Sequence, residues 1–162
     1  MRKSIRKKKG HSQAGFSAPE TLVVVLVISI LTVIAIPIVS KTMDLRRLDV
    51  YVSVVSSKMT EARMHAIKHN RTAWFRVDPV NRTTQIQTTD DVGNTVNLKA
   101  SELIPLRITM AETAAVEFRF DSMGRLTTGT ETVTFQTTAS GDTNSKAITA
   151  SPAGKILVAS MD

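Results

Sequence analysis

The chain has no cysteine. That absence excludes disulfide staples, zinc–thiolate sites and thiol catalysis together, so any folded domain must be held by its core alone. There is no Gly-rich phosphate loop and no nucleophile elbow in the 162 residues. The three histidines are not set beside partners in a catalytic pattern. Charge is absent in two instructive ways. Residues 1–15 hold no acid but six bases, Arg2, Lys3, Arg6, Lys7, Lys8 and Lys9, and Thr21 to Ser40 hold no charge of either sign. The formal net charge of +7 therefore misleads. Without the first fifteen residues, 15 of the 21 Lys and Arg remain against 14 Asp and Glu, so the rest of the chain is nearly neutral. A case for nucleic-acid binding built on overall basicity fails there.

What is present begins with the uncharged run. Leu22 to Ile36 is almost wholly Leu, Val and Ile. Extended to Ser40, it matches a hydrocarbon core of about 30 Å at about 1.5 Å per residue. The basic leader lies at its N-terminal end, so the positive-inside rule keeps the N-terminus cytoplasmic and sends the residues after 40 outward. No small-x-small cleavage site follows Ile36, as an ordinary secretory signal would require. Glu20 stands at the edge of this run. It either sits at the membrane interface, favoured by a helix N-terminus, or does work that offsets a cost of about 3 kcal/mol for a charge at bilayer depth. Pro19 would clash with Gly15 in a continuous helix but is harmless in a first turn. Pro37 removes the hydrogen bond to Val33, which predicts a kink or local melting there, or a helix end. Ser29 and Thr32 are placed to bond back to nearby carbonyls.

The junction Gly15-Phe16-Ser17-Ala18-Pro19-Glu20, set between basic leader and apolar run, resembles the type III signal peptide of type IV pilins and pseudopilins. The resemblance implies cleavage by a prepilin peptidase after Gly15 and N-methylation of Phe16. It implies that Glu20 neutralises the free amine of a neighbouring subunit and so sets register, and that Pro37 is a bend or melting point for filament packing. An ion pair of that kind is a poor stabiliser but a good register device. The implied partners are other pilins or pseudopilins through the N-terminal helix, the peptidase, and an inner-membrane assembly platform. The implied location is the inner membrane, single-pass, with a periplasmic head that later joins a pilus or pseudopilus.

Past the run, Leu45, Leu48, Val52, Val55, Met59, Ala62, Ala66 and His69 follow a 3-4 spacing with charges between them, which predicts one apolar stripe on a helix. Beyond Asn70 the pattern turns strand-like. Candidate strands are 73–77, 83–88, 95–98, 106–109, 116–120, 132–137, 146–150 and 155–160, with turns at Asp78-Pro79-Val80-Asn81, Asp121-Ser122-Met123-Gly124 and Ser151-Pro152-Ala153-Gly154. Loops near 90–94 and 141–144 read as exposed. The expected fold class is α+β: a long N-terminal helix, half transmembrane and half amphipathic, packed on an antiparallel β-sheet head with one buried face. The expected divisions are a leader (1–15), a transmembrane and assembly helix (16–40), an amphipathic helix (41–70) and a β-rich head (71–162).

Phe118 to Leu126 and Ser151 to Val158 are similar to the strand-turn-strand and closing hairpin of the GspH/FimT group of minor pilins and pseudopilins. The group's role is structural, not enzymatic, with no cofactor: a minor pseudopilin supporting protein export by type II secretion, or a minor type IV pilin that primes assembly or binds DNA for uptake. The cations that would contact DNA are Arg125, Lys146 and Lys155. DNA-capturing relatives carry a Gly-Arg-x-Arg pattern where this chain has Gly154-Lys155-Ile156-Leu157, which argues against nucleic acid as a partner. Glu61, His65 and His69 share i, i+4, i+8 spacing, but no fourth ligand accompanies them, and Asp90 to Asn94 lacks the EF-hand spacing. Neither predicts a metal.

Overall fold

A computed structural model describes residues 16–139 and 141–161. The leader and Gly15 lie outside the described residues. One helix, α1 (Ala18–His69), precedes nine strands: β1 (Ala73–Asp78), β2 (Thr83–Thr89), β3 (Thr95–Asn97), β4 (Glu102–Leu103), β5 (Thr109–Met110), β6 (Val116–Phe120), β7 (Glu131–Ala139), β8 (Asp142–Ala150) and β9 (Ile156–Met161). The chain divides into two compact units with the boundary between Ile38 and Val39.

In the first unit, α1 starts one residue after Ser17, whose carbonyl accepts from the N–H groups of Glu20 and Thr21 at 3.0 and 3.1 Å. Pro19 thus falls in the first turn, where no donor is missed, and Phe16 and Ser17 lie outside the helix. Thr21, Ser29 and Thr32 donate their hydroxyls to the carbonyls of Ala18, Val25 and Ile28 at 2.8, 2.7 and 2.8 Å. This satisfies the hydroxyls without water, the arrangement an apolar surrounding demands. Helix continues unbroken across position 37. From Leu22 to Ile36 every side chain is exposed. By length and composition this is a helix able to cross a membrane.

In the second unit, the stripe on α1 is buried from Leu48 through Val52, Val55, Met59, Ala62 and Ala66. Its ends depart from expectation. Leu45 is half-buried, Asp44 takes the buried position beside it, and His69 is exposed in the last turn. Asn70 closes the helix at φ 50, with its N–H on the Ile67 carbonyl and the Arg71 N–H on the Ala66 carbonyl. This is a Schellman cap that uses Asn in place of Gly.

The head holds two antiparallel sheets rather than the single sheet the alternation suggested. One runs β3-β2-β1-β6, with β4 also on β2; the other runs β5-β7-β8-β9. In the first, Phe75 pairs with Ile86 on one side and Phe118 on the other. In the second, Val133 pairs with Ile148. These residues, with Phe120, Phe135 and Ala150, form one core with the stripe of α1. Full burial of each large apolar side chain contributes about 2 kcal/mol, and with no disulfide the four buried Phe rings carry much of the cohesion.

The hairpin turn at 78–81 forms as expected, with the Asp78 carboxylate accepting the Asn81 N–H at 2.9 Å. The predicted strand at 106–109 does not form. Leu106 and Arg107 lie in a turn closed by the Ile108 N–H on the Pro105 carbonyl at 2.9 Å, and only Thr109–Met110 joins the sheet. The expected loop at 141–144 is the start of β8, while β4 was not foreseen.

Candidate functional site

The turn after β2, the turn after β6 and the turn after β8 have the same construction. In each, a first residue's N–H donates to the carbonyl four residues on: Asp90 to Asn94, Asp121 to Arg125 and Ser151 to Lys155, all at 2.9 Å. The fourth residue is a glycine at positive φ whose N–H returns to the first carbonyl. The first residue's side-chain oxygen then accepts the fifth N–H, at 2.7, 2.8 and 3.3 Å. This is a three-residue hairpin loop stabilised by an Asp or Ser side chain. The hydrogen bonds hold the Asp90 and Asp121 carboxyls below the usual carboxylate range; the backbone N–H of Asn94 and of Arg125 is the leading cause in each.

Two of these turns meet. The Leu126 N–H donates to the Pro152 carbonyl at 3.0 Å, and Arg63 of α1 reaches in to donate Nε–H to the Gly124 carbonyl at 2.8 Å. Gly154 is buried in this junction. A Cβ there would overlap the Gly124 carbonyl oxygen and come within 2.8 Å of Arg63 Nε.

The cations predicted to contact nucleic acid differ in their ion pairing. Arg125 and Lys155 end the two adjoining turns. Arg125 is paired with Asp121 at 3.0 Å. Lys155 is exposed, with no ion pair among the described residues. Lys146 lies four residues back along β8 and is paired with Asp49 of α1 at 2.6 Å.

An open groove of about 580 Å³ lies between α1 residues 43–54 and the 105–108 loop. Met43, Val50, Val54, Pro105 and Ile108 make it apolar, and Arg46, Arg47 and Arg107 rim it. Asp44, 5% exposed, accepts from Arg47 at 3.1 Å and Arg107 at 2.9 Å. Arg82 fixes the loop by donating from Nη2 to the Pro105 and Ile108 carbonyls, each at 2.8 Å. Sequence reasoning missed Asp44 and Arg82. Both look like solvated charges in the linear pattern, and the partners that tie them into the fold, Arg107 for Asp44 and the 105–108 carbonyls for Arg82, lie more than twenty residues away. The lining carries guanidiniums and the Tyr51 ring but neither a carboxylate nor an imidazole.

Glu61, His65 and His69 do not converge. Glu61 pairs with Lys99, and the two imidazoles stack at 4.2 Å between ring centres. Burial, then the neighbouring His69, lowers the His65 pKa. Among the described residues no group of three or more His, Asp or Glu could hold a metal. Phe16 and Glu20 are both exposed at the start of α1.

No family profile and no curated protein sequence matches the chain. Among solved structures, the chain is similar to the type IV minor pilin FimU of Pseudomonas aeruginosa in two crystal forms. In one the TM-score is 0.54 at 18% identity, covering 70% of this chain and 89% of FimU. In the other it is 0.51 at 17%, covering 69% and 92%. At that identity the likeness concerns the fold. A long N-terminal helix followed by an antiparallel β head is the pilin-like fold, and this chain has it.

Proposed function

We propose that the chain is a membrane-anchored minor subunit of a pilin-class filament, with a structural rather than catalytic role. The observation that carries this reading is the first half of α1. It is apolar and exposed on every side, and it stands on a pilin-like fold. Such a surface requires lipid before assembly and other helices after it. In this reading a prepilin peptidase removes residues 1–15 on the cytoplasmic side and Phe16 becomes a methylated N-terminus. The helix is then drawn from the inner membrane by an assembly platform, with the head on the periplasmic side. Glu20 pairs with the amine of a neighbouring subunit. Its exposure at the helix start, in the second turn-forming position after Ala18, leaves the carboxylate free to be reached.

The filament is a type II secretion pseudopilus supporting export of folded proteins. The type IV pilus is a second reading, supported by the description of the fold's neighbour as a type IV minor pilin. Deleting the gene separates them: loss of protein export marks the first, loss of surface pili the second. The common reading is tested by mass analysis of the N-terminal peptide from cells that contain the peptidase. A methylated Phe16 is the expected terminus, and a mature protein retaining residues 1–15 would overturn the assignment. In the same cells, Glu20→Ala leaves processing and insertion intact and reduces cross-linking to the major subunit at least about ten-fold, as loss of a desolvated pairing partner predicts. Unchanged cross-linking would return Glu20 to a simple interfacial position.

A further inference from the structure

The groove between α1 and the 105–108 loop is apolar inside and cationic at its rim. Its floor on α1 is Met43, Val50 and Val54, which are 51%, 64% and 41% exposed. Spacings of seven and four put the three on one helix face. The stripe from Leu48 to Ala66 is buried in the core, whereas this second apolar face lies open. Leu106, between the lining residues Pro105 and Arg107, is 89% exposed. The volume of about 580 Å³ falls within the range of about 300–1,000 Å³ that small-molecule sites occupy.

At the rim, Asp44 is shared by Arg47 and Arg107, each of which donates to it from Nη1. Both guanidiniums are over half exposed. Arg46 is exposed and has no ion pair among the described residues. Three guanidiniums against one carboxylate leave two positive charges in excess. A planar guanidinium with adjacent N–H donors matches a phosphate group. Position along the chain selects the source of that phosphate. Arg46 and Arg47 follow Ser40, where the uncharged run ends, by six and seven residues. On a helix this is about 10 Å, and the headgroup layer extends about 5–8 Å beyond the hydrocarbon.

We propose that the groove binds one anionic phospholipid of the membrane that holds the anchor. The phosphate sits on Arg46, Arg47 and Arg107, and an acyl chain lies along Met43, Val50 and Val54. The inference rests on the reading of the first half of α1 as a membrane anchor. A soluble phosphate would use the rim and leave the floor in water. A zwitterionic lipid would use the floor and bring a cation of its own to the rim. An anionic amphiphile matches both parts.

The absence of cysteine makes the test direct, because an introduced thiol is the only one. Full-length Leu106→Cys carries a bimane label beside the groove and is reconstituted in phosphatidylcholine vesicles. These contain phosphatidylglycerol or phosphatidylcholine brominated on its acyl chains, and bromine quenches the label at contact range. Half-maximal quenching is expected at a mole fraction at least about ten-fold lower for brominated phosphatidylglycerol, as two excess cations predict. Arg46→Gln should raise that mole fraction about five-fold. Lys155→Gln loses the same charge at the turns that meet Arg63, sixteen residues along α1 from Arg47, and should leave it unchanged beyond a screening length of about 10 Å. Val50→Asp, at an exposed position, should abolish the preference by placing a carboxylate in the floor. Flotation with pure phosphatidylcholine vesicles reads the anchor separately. A chain that floats but is quenched equally by both lipids, or keeps its preference in Arg46→Gln and Val50→Asp, overturns the lipid site and leaves the anchor standing. Failure to float removes the anchor and this site together. Relief of quenching by free glycerol phosphate would reassign the rim to a soluble anion. Shielding of the label at rising protein density, without bromine, would give the groove to a second copy; either result overturns the proposal.

Discussion

Replacing Gly154 with Ala tests whether the head depends on the junction of its two glycine turns with Arg63. Two costs are involved. Gly154 sits at φ +74, where a residue with a Cβ pays about 1–2 kcal/mol. The second cost is steric and falls on rigid atoms, because the new Cβ meets the backbone oxygen of Gly124 rather than a side chain that can swing away. Relieving that overlap separates the turns and disturbs the bond from Arg63 to Gly124, a hydrogen bond from a charged donor worth about 1.5–3 kcal/mol. The sum is about 2.5–5 kcal/mol. The repeated turn provides the control. Gly93 has the same role and φ +93, but a Cβ there meets nothing within 4 Å, so Gly93→Ala costs only the backbone term of about 1–2 kcal/mol. Gly124→Ala falls between, since its Cβ would approach the movable Ile67 side chain at 2.6 Å. Trp74, the only tryptophan, is 4% exposed in β1 and reports unfolding by its fluorescence. In thermal melts of residues 39–162, roughly 3–5 °C are expected per kcal/mol. Gly93→Ala should then lose about 5 °C and Gly154→Ala more than about 10 °C. Equal losses for the two would refute the close-packed junction. So would full additivity of Gly154→Ala with Arg63→Ala, since residues sharing one contact must couple.

Two further outcomes follow from the electrostatics. Asp44→Ala removes a buried carboxylate that fastens the 105–108 loop to α1 through Arg107, but the guanidiniums it leaves are over half exposed and regain water. The expected loss is about 1–2 kcal/mol in the same melt, and Arg107→Ala should cost less because Arg47 still pairs with Asp44; the reverse order would show that the loop, not the carboxylate, is the anchor. The carboxyls of Asp78, Asp90, Asp121 and Asp142 are all held below their ordinary value, the first three chiefly by backbone N–H groups and the last by Lys41. Groups depressed in the folded state stabilise it above the unfolded value of about 4 and lose that contribution as pH falls through the folded value, so the melting temperature should fall below about pH 4. In Asp121→Asn the fall should be shallower, and an unchanged acid limb would remove Asp121 from the account.

The parts of the fold legible in the sequence are those governed by near neighbours. The stripe from Leu48 to Ala66 was readable because one helical period decides what is buried. The turn residues were readable because Asp, Pro and Gly act within four positions. Leu106 to Thr109 misled because Leu106 and Ile108 imitate a strand's alternation, while Pro105 accepts a turn hydrogen bond that no alternation reveals. The division into two sheets was hidden for a related reason. Each strand shows a buried face, but nothing within it says which strands share a sheet. Asp44 and Arg82 were hidden because each is defined by what it touches across the fold.

The same distinction separates the N-terminal segment from β9. The junction at Gly15 and the run to Ser40 are patterns of near neighbours in the chain, so sequence alone suffices to suggest them. The composition of β9 means nothing linearly. Six uncharged residues ending in Ser-Met would be an ordinary inner strand if β9 lay between two others. Only its position at the margin of the second sheet makes the missing lysine and proline a structural feature, because an inner strand needs no protection and an outer one does.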